Sequence, residues 1–283
     1  LFATAASQPI VTPDGRHALV YNGELYNDAA LRAQLLPRVL RATGGAGFRT
    51  LCDAETVLWA LALDGADAIE RLRGMYALAF VDLDSRSMLL ARDPLGVKPL
   101  VWSATQDGGV AFASEPRALL QHPSIECRPD PEMFAAYLVT SRRTFGELTM
   151  FAGVRSVTPG SVLRVDLGSS QPQPVEILSG SRLSRPVAER PVSAGACHDV
   201  IVDSLLSQLV SDVPVCAFLS GGLDSAILTQ LAAEERERLG SGALATWCAS
   251  AVENGEELGP DPPMAREFAA RIGSTHTDVH TGE

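Results

Sequence analysis

A glycine loop between an apolar strand and a helix is the feature that most constrains the fold of this chain. The segment from Phe218 to Leu228 reads FLSGGLDSAIL. The run Val213 to Leu219 is apolar and has the length of a strand, and helical spacing of apolar residues follows from Ser225. The pattern predicts a strand, a tight turn and a helix start, where backbone N–H groups face an anion.

The residues of this loop suit the pyrophosphate part of Mg²⁺-bound ATP. Gly221 and Gly222 lack a Cβ atom, so the backbone can approach a ligand closely. Ser220 and Ser225 add hydroxyl donors. The usual nucleotide loop carries a lysine, whereas this one carries Asp224, which suits phosphate if Mg²⁺ lies between them. A Gly-Gly pair that only forms a tight turn is the alternative.

The complete string SGGLDS resembles the pyrophosphate loop of ATP pyrophosphatases, which cleave ATP between the α and β phosphates and form an adenylate. Asparagine, GMP and argininosuccinate synthetases share this loop, so it leaves the substrate open. The resemblance implies two sets of contacts. The pyrophosphate and its metal would be held by Ser220, Gly221, Gly222, Asp224 and Ser225, and adenine would meet the backbone of Leu219 and Ser250.

Several segments of the first half fit one pattern. In isolation, YNGELYN from Tyr21 predicts a hairpin, because Asn-Gly is a strong turn signal. However, RLRGMYALAFVD from Arg71, LLARDPLGVKPLVW from Leu89 and VAFASEPRALL from Val110 follow in the order and spacing of class II glutamine amidotransferase domains. Together with the loop, they resemble glutamine-dependent asparagine synthetase from about Ser7 to the end of the chain.

This resemblance implies a glutamine site in the first half. Asn22 and Gly23 match the residues that form the oxyanion hole of the family, and Glu24 matches its glutamine-contacting acid. Asp53, in LCDAE, matches the aspartate that binds the α-amino group of glutamine. Its position before the helical run Ala54 to Leu63 also suits a helix N-cap, and the two roles are compatible.

Class II amidotransferases use an N-terminal cysteine as nucleophile, whereas this sequence opens at Leu1. We therefore expect the nucleophile, the first strands and the arginine that holds the glutamine carboxylate to lie outside it. The five cysteines of the chain have no CxxC spacing and stand mostly among apolar residues, so buried, unpaired thiols are expected. They are Cys52, Cys127, Cys197, Cys216 and Cys248.

The second half predicts the start of a parallel sheet. After the loop come a strand at Ala243 to Val252, a helix with Met264, Phe268 and Ile272 on one face, and an alternating strand at Ser274 to His280. A doubly wound domain needs more elements than these. The SGEGxDE motif and catalytic lysine of the synthetase family do not occur, and Lys98 is the single lysine in the sequence.

We accordingly predict an α/β and α+β chain of three parts. Residues 1–167 form an incomplete αββα sandwich of the Ntn-hydrolase type, the class II glutamine amidotransferase domain without its N-terminal segment. Residues 168–195, rich in Pro, Ser, Gly and Arg, form a linker. Residues 196–283 form the N-terminal part of an ATP-pyrophosphatase synthetase domain, a doubly wound sheet of the adenine-nucleotide α-hydrolase type.

Composition excludes several other classes. A net charge of −11 and a pI near 4.9 argue against a nucleic-acid-binding surface. No apolar run is long enough to cross a bilayer. Unpaired cysteines and ATP-dependent chemistry favour a reducing cytoplasm. Among polar residues, His276 and His280 alternate as on the solvent side of a strand, which argues against a metal site. Arg92 and Asp93 suit a structural turn, and Asp82 and Asp84 suit a hairpin turn.

The resemblance implies a glutamine-hydrolysing asparagine synthetase, which uses ATP and Mg²⁺ as cofactors and glutamine, aspartate and ATP as substrates. Ammonia from the first domain would reach an aspartyl-adenylate in the second. No nucleic-acid or membrane partner is expected, and a homodimer is compatible with this family. Two alternatives stay open: an adenylating cyclase such as a β-lactam synthetase or lasso-peptide cyclase, and a catalytically incomplete binding or dimerisation module. The acceptor carboxylate is not defined by this sequence.

Overall fold

A computed structural model of the chain describes residues 7–169, 173–178, 193–211, 213–253 and 256–281. The chain forms two compact units, Leu1–Val187 and Ala188–Glu283, so the boundary falls within the predicted linker. In the described parts of the chain, no helix combines the length and the apolar character that a membrane span requires.

The first unit is built mainly from antiparallel strands. Its helices are α1 (Asp28–Ala42), α2 (Asp53–Asp64), α3 (Pro116–Leu119) and α4 (Pro131–Thr140), with a 3-10 helix at Gly65–Arg71. Its strands are β1 (Ile10–Val11), β2 (His17–Leu25), β3 (Gly74–Asp82), β4 (Ser87–Arg92), β5 (Val101–Ala104), β6 (Val110–Ala113), β7 (Thr144–Phe145), β8 (Leu148–Thr149), β9 (Arg155–Ser156), β10 (Val162–Asp166) and β11 (Val175–Leu178).

These elements stack in layers. One sheet has the order β1-β2-β3-β4-β10-β11, and the other has the order β6-β5-β9-β8-β7. Helices α1 and α2 cover one face of the first sheet through Leu35 and Leu58. Its other face packs on the second sheet through Leu90 and Leu100, and α3 adds Leu119 beyond that sheet. This is the predicted αββα sandwich, with a reduced second helical layer.

The central strand β3 explains why the two layers stay together. Its sequence GMYALAFVD is apolar on both sides, and its middle residues Tyr76 to Phe80 are buried on both faces. A strand covered by helices on one face and by a sheet on the other needs such a continuous apolar run. Strand β2 pairs with β3 over its whole length, from His17 opposite Asp82 to Leu25 opposite Gly74.

The second unit contains the predicted parallel sheet. Its helices are α5 (Ala194–Gln208), α6 (Leu223–Arg238) and α7 (Asp261–Arg271), and its strands are β12 (Cys216–Phe218), β13 (Ala245–Glu253), β14 (Glu256–Leu258) and β15 (Thr275–Thr281). Strand β13 pairs in parallel with β12 and with β15. Strand β14, which was not predicted, pairs antiparallel with the end of β13. The buried core of this unit joins Leu219 and Cys248 to α7.

Several local expectations differ from the structure. The YNGELYN segment is no hairpin, because Tyr21 to Leu25 lie inside β2. The strand expected at Val213 to Leu219 is confined to Cys216–Phe218. Within the predicted linker, Val175–Leu178 forms β11 and pairs with β10, and α5 begins at Ala194. The linker residues 170–172 and 179–192 lie outside the described part of the chain.

The cysteines also depart from the expectation of buried thiols. Cys248 is buried and Cys52 is half-buried, whereas the other three are exposed, namely Cys127, Cys197 and Cys216. All five are unpaired, as predicted. For Cys216, apolar neighbours in the sequence did not imply a buried thiol, because a side chain on an edge strand such as β12 can point away from the core.

Candidate functional sites

The backbone of β2 presents an N–H group at Gly23 to the edge of the sheet that faces away from β3. Backbone N–H groups alternate between the two edges of a strand. Tyr26 donates to the Arg73 carbonyl at 2.8 Å on the β3 side. Tyr21 instead bonds the Gln8 side chain through both its N–H and its C=O, each at 2.6 Å. Gly23 is two residues further on, so its N–H points to the same edge as that of Tyr21.

Among the residues that the structure describes, the strand next to this edge is short, and none of them pairs with β2 at Gly23. Within this part of the chain, β1 pairs with β2 at Ala18 and Leu19. Beyond them, the Gln8 side chain takes the place of a strand partner at Tyr21. Two residues past Gly23, the Leu25 N–H donates to the Asp53 carboxylate at 2.8 Å. The Gly23 N–H thus lies between two occupied positions of the same edge.

Asn22 and Glu24 extend from β2 on the face opposite to Tyr21, because side chains alternate along a strand. Both are exposed. The Asn22 side-chain amide donates to the Ser114 hydroxyl at 3.4 Å, and Ser114 lies between β6 and α3. The side-chain amide of Asn22 and the backbone N–H of Gly23 therefore belong to neighbouring residues at the same edge of the sheet.

Asp53 joins this group through the start of α2. Its Oδ2 accepts a hydrogen bond from the Leu25 N–H, and its Oδ1 accepts one from the N–H of the next residue, Ala54, both at 2.8 Å. The N-cap position belongs to Cys52, and Asp53 is the first residue of the helix, so the N-cap prediction is wrong by one residue. A carboxylate in the first helical turn is favoured by the helix dipole. The structure thus unites all four predicted residues of the first site.

Glycine is required at position 23 for packing. A Cβ atom there would collide with the Met75 carbonyl oxygen and would lie 2.8 Å from both Tyr21 Cζ and Tyr76 Cβ. The Tyr21 ring lies beside Gly23 because both residues face the same side of β2. Tyr21 is 6% exposed, and burial raises the pKa of its hydroxyl, with further contributions from the charges of Asp53 and Glu24.

The loop after β4 is held by a buried carboxylate and a guanidinium. Asp93 accepts hydrogen bonds from four backbone N–H groups at 2.9 to 3.2 Å, those of Tyr76, Leu95, Val97 and Lys98. Arg92 donates to the carbonyls of Lys98, Gly96 and Val157. These bonds confirm the predicted structural role of both residues in the ARDPLG turn. Asp82 likewise accepts the N–H groups of Asp84 and Ser85 in the turn before β4.

In the second unit, the SGGLDS segment forms a tight turn that leads directly into α6. Leu219 is buried, and its N–H donates to the Trp247 carbonyl at 2.8 Å. Gly221 has φ +77°, and a Cβ atom there would lie 2.5 Å from the Asp261 carbonyl oxygen. Gly222 is the N-cap of α6, and Asp224 lies in its first turn. The predicted strand, glycine turn and helix start are therefore all present.

The two serines of this turn are linked. The Ser220 and Ser225 hydroxyls lie 3.0 Å apart, and the Ser225 hydroxyl donates to the Gly222 carbonyl at 2.9 Å. The Ser220 N–H donates to the Ser225 hydroxyl at 3.3 Å. Ser220, Gly222 and Asp224 are exposed. The first-turn N–H groups of a helix have no acceptor within the helix, so this surface is suited to an anion.

Ser250 lies on β13, beyond the level of Leu219. It is fully buried, and its hydroxyl donates to Glu257 at 2.5 Å. Arg266 of α7 binds the same carboxylate at 2.5 Å and Asp278 of β15 at 3.1 Å. The Arg266 guanidinium, followed by the Ser250 hydroxyl, lowers the pKa of Glu257 to about 2. The side chain of Ser250 is therefore engaged in a local network, and its backbone lies in the pairing between β13 and β15.

The histidine pair of the last strand behaves only in part as expected. Both residues lie on β15, and among the described residues no cluster of three or more potential ligands is arranged around a metal position. His280 is exposed, but His276 is largely buried and bonds Thr246 at 2.9 Å. His276 therefore belongs to the packing between β13 and β15, which is a correction to the expected solvent-side position.

Comparison with known proteins identifies the family. A family model described as the glutamine amidotransferase domain matches residues 2–175, more than half of the chain. The chain belongs to this glutamine amidotransferase family. A second family model, described as asparagine synthase, matches residues 196–283. The amidotransferase match covers β2 and Asp53, and the asparagine synthase match covers the SGGLDS turn and Ser250.

Individual relatives match this amidotransferase chain across both of its parts. It is 31% identical over 277 residues to asparagine synthetase [glutamine-hydrolyzing] 3 of Bacillus subtilis, covering 92% of this chain and 42% of that protein. It is 28% identical to asparagine synthetase B [glutamine-hydrolyzing] of Escherichia coli, covering 98% of this chain and 44% of that protein. The chain thus spans less than half the length of these relatives.

A solved structure of glutamine phosphoribosylpyrophosphate amidotransferase from B. subtilis, complexed with ADP and GMP, matches at 18% identity and a TM-score of 0.41. The match covers 94% of this chain and 54% of that chain.

The sequence alone did not indicate a role for three residues that contact the candidate glutamine site, namely Gln8, Tyr21 and Ser114. Ser114 stands in the VAFASEPRALL motif and Tyr21 opens YNGELYN, whereas Gln8 belongs to neither motif and meets Tyr21 only in the folded chain.

Proposed function

We propose that the protein to which this chain belongs is a glutamine-hydrolysing asparagine synthetase. It would amidate aspartate through an aspartyl-adenylate, using ATP and ammonia from glutamine. The order of the two matched families along one chain supports this proposal. Residues 1–167 would form the glutamine-hydrolysing domain and residues 196–283 the first part of the ATP-using domain. The segment 168–195 would join them, with β11 added to the sheet of the first unit.

The observation that carries the proposal is the direction of the Gly23 N–H beside the Asn22 amide. When a nucleophile attacks the carboxamide of glutamine, negative charge develops on the carbonyl oxygen. Donors already aimed at that oxygen stabilise the transition state, and a single donor is worth roughly 3–4 kcal/mol. At this edge of β2, the Gly23 N–H and the Asn22 side-chain amide, which now donates to Ser114, would act as two such donors. The family resemblance implies a cysteine thiolate as the nucleophile.

The acidic residues of the first unit would recognise the amino group of glutamine. Asp53 is fixed by the Leu25 and Ala54 N–H groups, so it can meet an ammonium group without first being ordered. Glu24 lies on the same strand as the two oxyanion donors. Placing the ammonium group at these carboxylates would orient the carboxamide relative to Gly23. Such orientation lowers the entropy cost of the reaction.

The second unit would bind ATP at the SGGLDS turn. The backbone of Gly221 and Gly222 and the Ser220 and Ser225 hydroxyls would cradle the pyrophosphate. Leu219 and Ser250 would contact adenine through their backbone, as the resemblance implies. Both residues are buried as a whole, so this contact rests on the resemblance.

Asp224 is the residue that would hold Mg²⁺ together with the phosphates. Its donor chemistry fits, because Mg²⁺ is usually bound by one or two carboxylates plus phosphate oxygens and water. Asp224 is exposed in the first turn of α6, next to the turn that would hold the phosphates. When bound, the ion would neutralise phosphate charge. We also propose that the reaction takes place in the cytoplasm, where free cysteines persist.

The test is aspartate-dependent release of pyrophosphate by the complete protein, comparing wild type with Asp224→Ala. We expect Asp224→Ala to reduce the rate by at least tenfold. Asp199→Ala is the matched control, because Asp199 is an exposed aspartate of α5, and it should leave the rate unchanged. An unchanged rate in Asp224→Ala contradicts the proposed ATP site. Pyrophosphate release that does not require aspartate would instead favour an adenylating cyclase.

A further inference from the structure

A buried hydroxyl group of the first unit has no hydrogen-bond partner. Tyr21 is 6% exposed, and among the residues that the structure describes its Oη finds no donor or acceptor. Buried polar atoms are nearly always bonded, since an unpaired one costs roughly 1–3 kcal/mol. Phenylalanine would fill the same space in the core without this cost. An unpaired hydroxyl next to a candidate ligand site therefore suggests a partner that is engaged only in the bound state.

The surroundings of Tyr21 indicate which group that partner is. Tyr21, Gly23 and Leu25 share one face of β2, and the missing side chain of Gly23 leaves room for the Tyr21 ring, whose Cζ reaches that position. The next residue of this face, Leu25, donates its N–H to Asp53 Oδ2. The ring therefore extends along the strand toward the carboxylate. Burial raises the pKa of Tyr21, and the Asp53 charge together with a weak interaction between the hydroxyl and this carboxylate adds to the increase.

Asp53 has room for a further hydrogen bond. A carboxylate offers about four lone-pair positions. Oδ1 accepts the Ala54 N–H and lies 3.6 Å from the Cys52 thiol, and Oδ2 accepts the Leu25 N–H. One position is then left for a donor from the protein or from a ligand. Cys52 and Tyr21 are the side chains that approach this carboxylate from the interior.

We propose that Tyr21 is a positioning residue for Asp53, and that its hydroxyl donates to this carboxylate when the ammonium group of an amino-acid ligand engages it. The inference rests on the proposed glutamine site. In the free protein the hydroxyl lies near Asp53 without forming a hydrogen bond of good geometry, so the well-aligned bond made in the complex adds to affinity. Loss of one hydrogen bond to a charged group corresponds to about tenfold or more in affinity.

The experiment compares two ligands and three forms of the complete protein, in which the nucleophilic cysteine is replaced by alanine so that glutamine is bound and not consumed. The ligands are L-glutamine and 4-carbamoylbutanoate, which is glutamine without its α-amino group. The forms are wild type, Tyr21→Phe and Tyr137→Phe, the last being a partly exposed tyrosine of α4. Dissociation constants are measured by ligand-observed NMR. We expect Tyr21→Phe to weaken L-glutamine about tenfold and to leave 4-carbamoylbutanoate unchanged, and Tyr137→Phe to change neither.

Each outcome separates the two proposals. If wild type binds L-glutamine and Tyr21→Phe binds it equally well, or loses both ligands to the same extent, the role of Tyr21 is refuted and the glutamine site stands. If wild type does not bind L-glutamine, the glutamine site itself fails. Should Tyr21→Phe not fold, the Tyr21 Cζ chemical shift in wild type serves instead. It should move with L-glutamine and not with 4-carbamoylbutanoate, and any other response refutes the proposal.

Discussion

At Gly23, β2 comes so near to its neighbours that no side chain can be accommodated. The Met75 carbonyl, the Tyr21 ring and the Tyr76 Cβ surround the position that a Cβ atom would take. The same residue directs its N–H to the edge of the sheet beside Asn22. Gly23 thus packs closely against its neighbours and also presents its backbone N–H at the edge of the sheet. The stability of the first unit and its proposed chemistry therefore depend on the same residue.

We expect Gly23→Ala to destabilise the first unit by about 1–3 kcal/mol, because a methyl group forced into a packed position displaces backbone and side chains. Urea unfolding followed by tryptophan fluorescence measures the change. Gly168→Ala is the control, since only the end of the Asp166 side chain, 3.1 Å away, would need to move. If both variants are equally stable, the close approach at Gly23 does not exist in solution.

Sequence reasoning at the residue scale found the residues but not all of their contacts. Asn22, Gly23 and Glu24 are contiguous, so their motif could be read directly. Their strand conformation could not, because Asn-Gly alone favours a turn, and pairing along the whole of β3 overrides this local preference. The bond from Leu25 to Asp53 joins residues that are 28 apart in sequence, and no local pattern predicts it.

At the scale of elements, the loop between β4 and β5 is organised by one carboxylate. Asp93 is 1% exposed and accepts four backbone N–H groups, which fixes the path of the chain from Arg92 to Lys98. The Tyr76 N–H among them belongs to β3, opposite Gly23 in the sheet. The loop is therefore tied to the strand that supports the candidate site.

We expect Asp93→Asn to destabilise the first unit by at least about 1.5–3 kcal/mol. The amide keeps the shape but loses the charge, and its NH2 group cannot accept from the loop. Equilibrium unfolding in urea checks this expectation. Asp84→Asn serves as the comparison, because Asp84 is a largely exposed aspartate of the turn before β4 and should change stability by less than about 0.5 kcal/mol. Equal stability of the two variants would argue against the described network.

Periodicity predicted most elements of the second unit, and it failed where pairing is decided by distant residues. The helix with Met264 and Phe268 and the strand from Ser274 were found from their own spacing. Strand β11 was assigned to a linker, because its Pro-rich surroundings lack alternation and its partner β10 lies earlier in the chain. Strand β14 is only Glu256–Leu258, too short to show a period.

At the scale of the whole molecule, the two units differ in how much apolar surface they bury. In the first unit, α1, α2 and the first sheet share one large core cluster, and further clusters lie between and beyond the two sheets. In the second, the buried cluster consists of Leu219, Cys248, Ala265 and Ala269. Phe218 of β12 is 82% exposed there. Burial supplies most of the stabilising free energy, so the units should differ in stability.

We therefore expect the second unit to unfold at a lower urea concentration than the first. The three tryptophans allow a direct measurement, because Trp59 and Trp102 lie in the first unit and Trp247 lies on β13. Trp247→Phe leaves reporters in the first unit alone, and Trp59→Phe with Trp102→Phe leaves one in the second. In each variant the remaining reporters lie in the unit that carries no substitution, so each midpoint belongs to an unaltered unit. A single transition with the same midpoint for both reporters would show that the units unfold together.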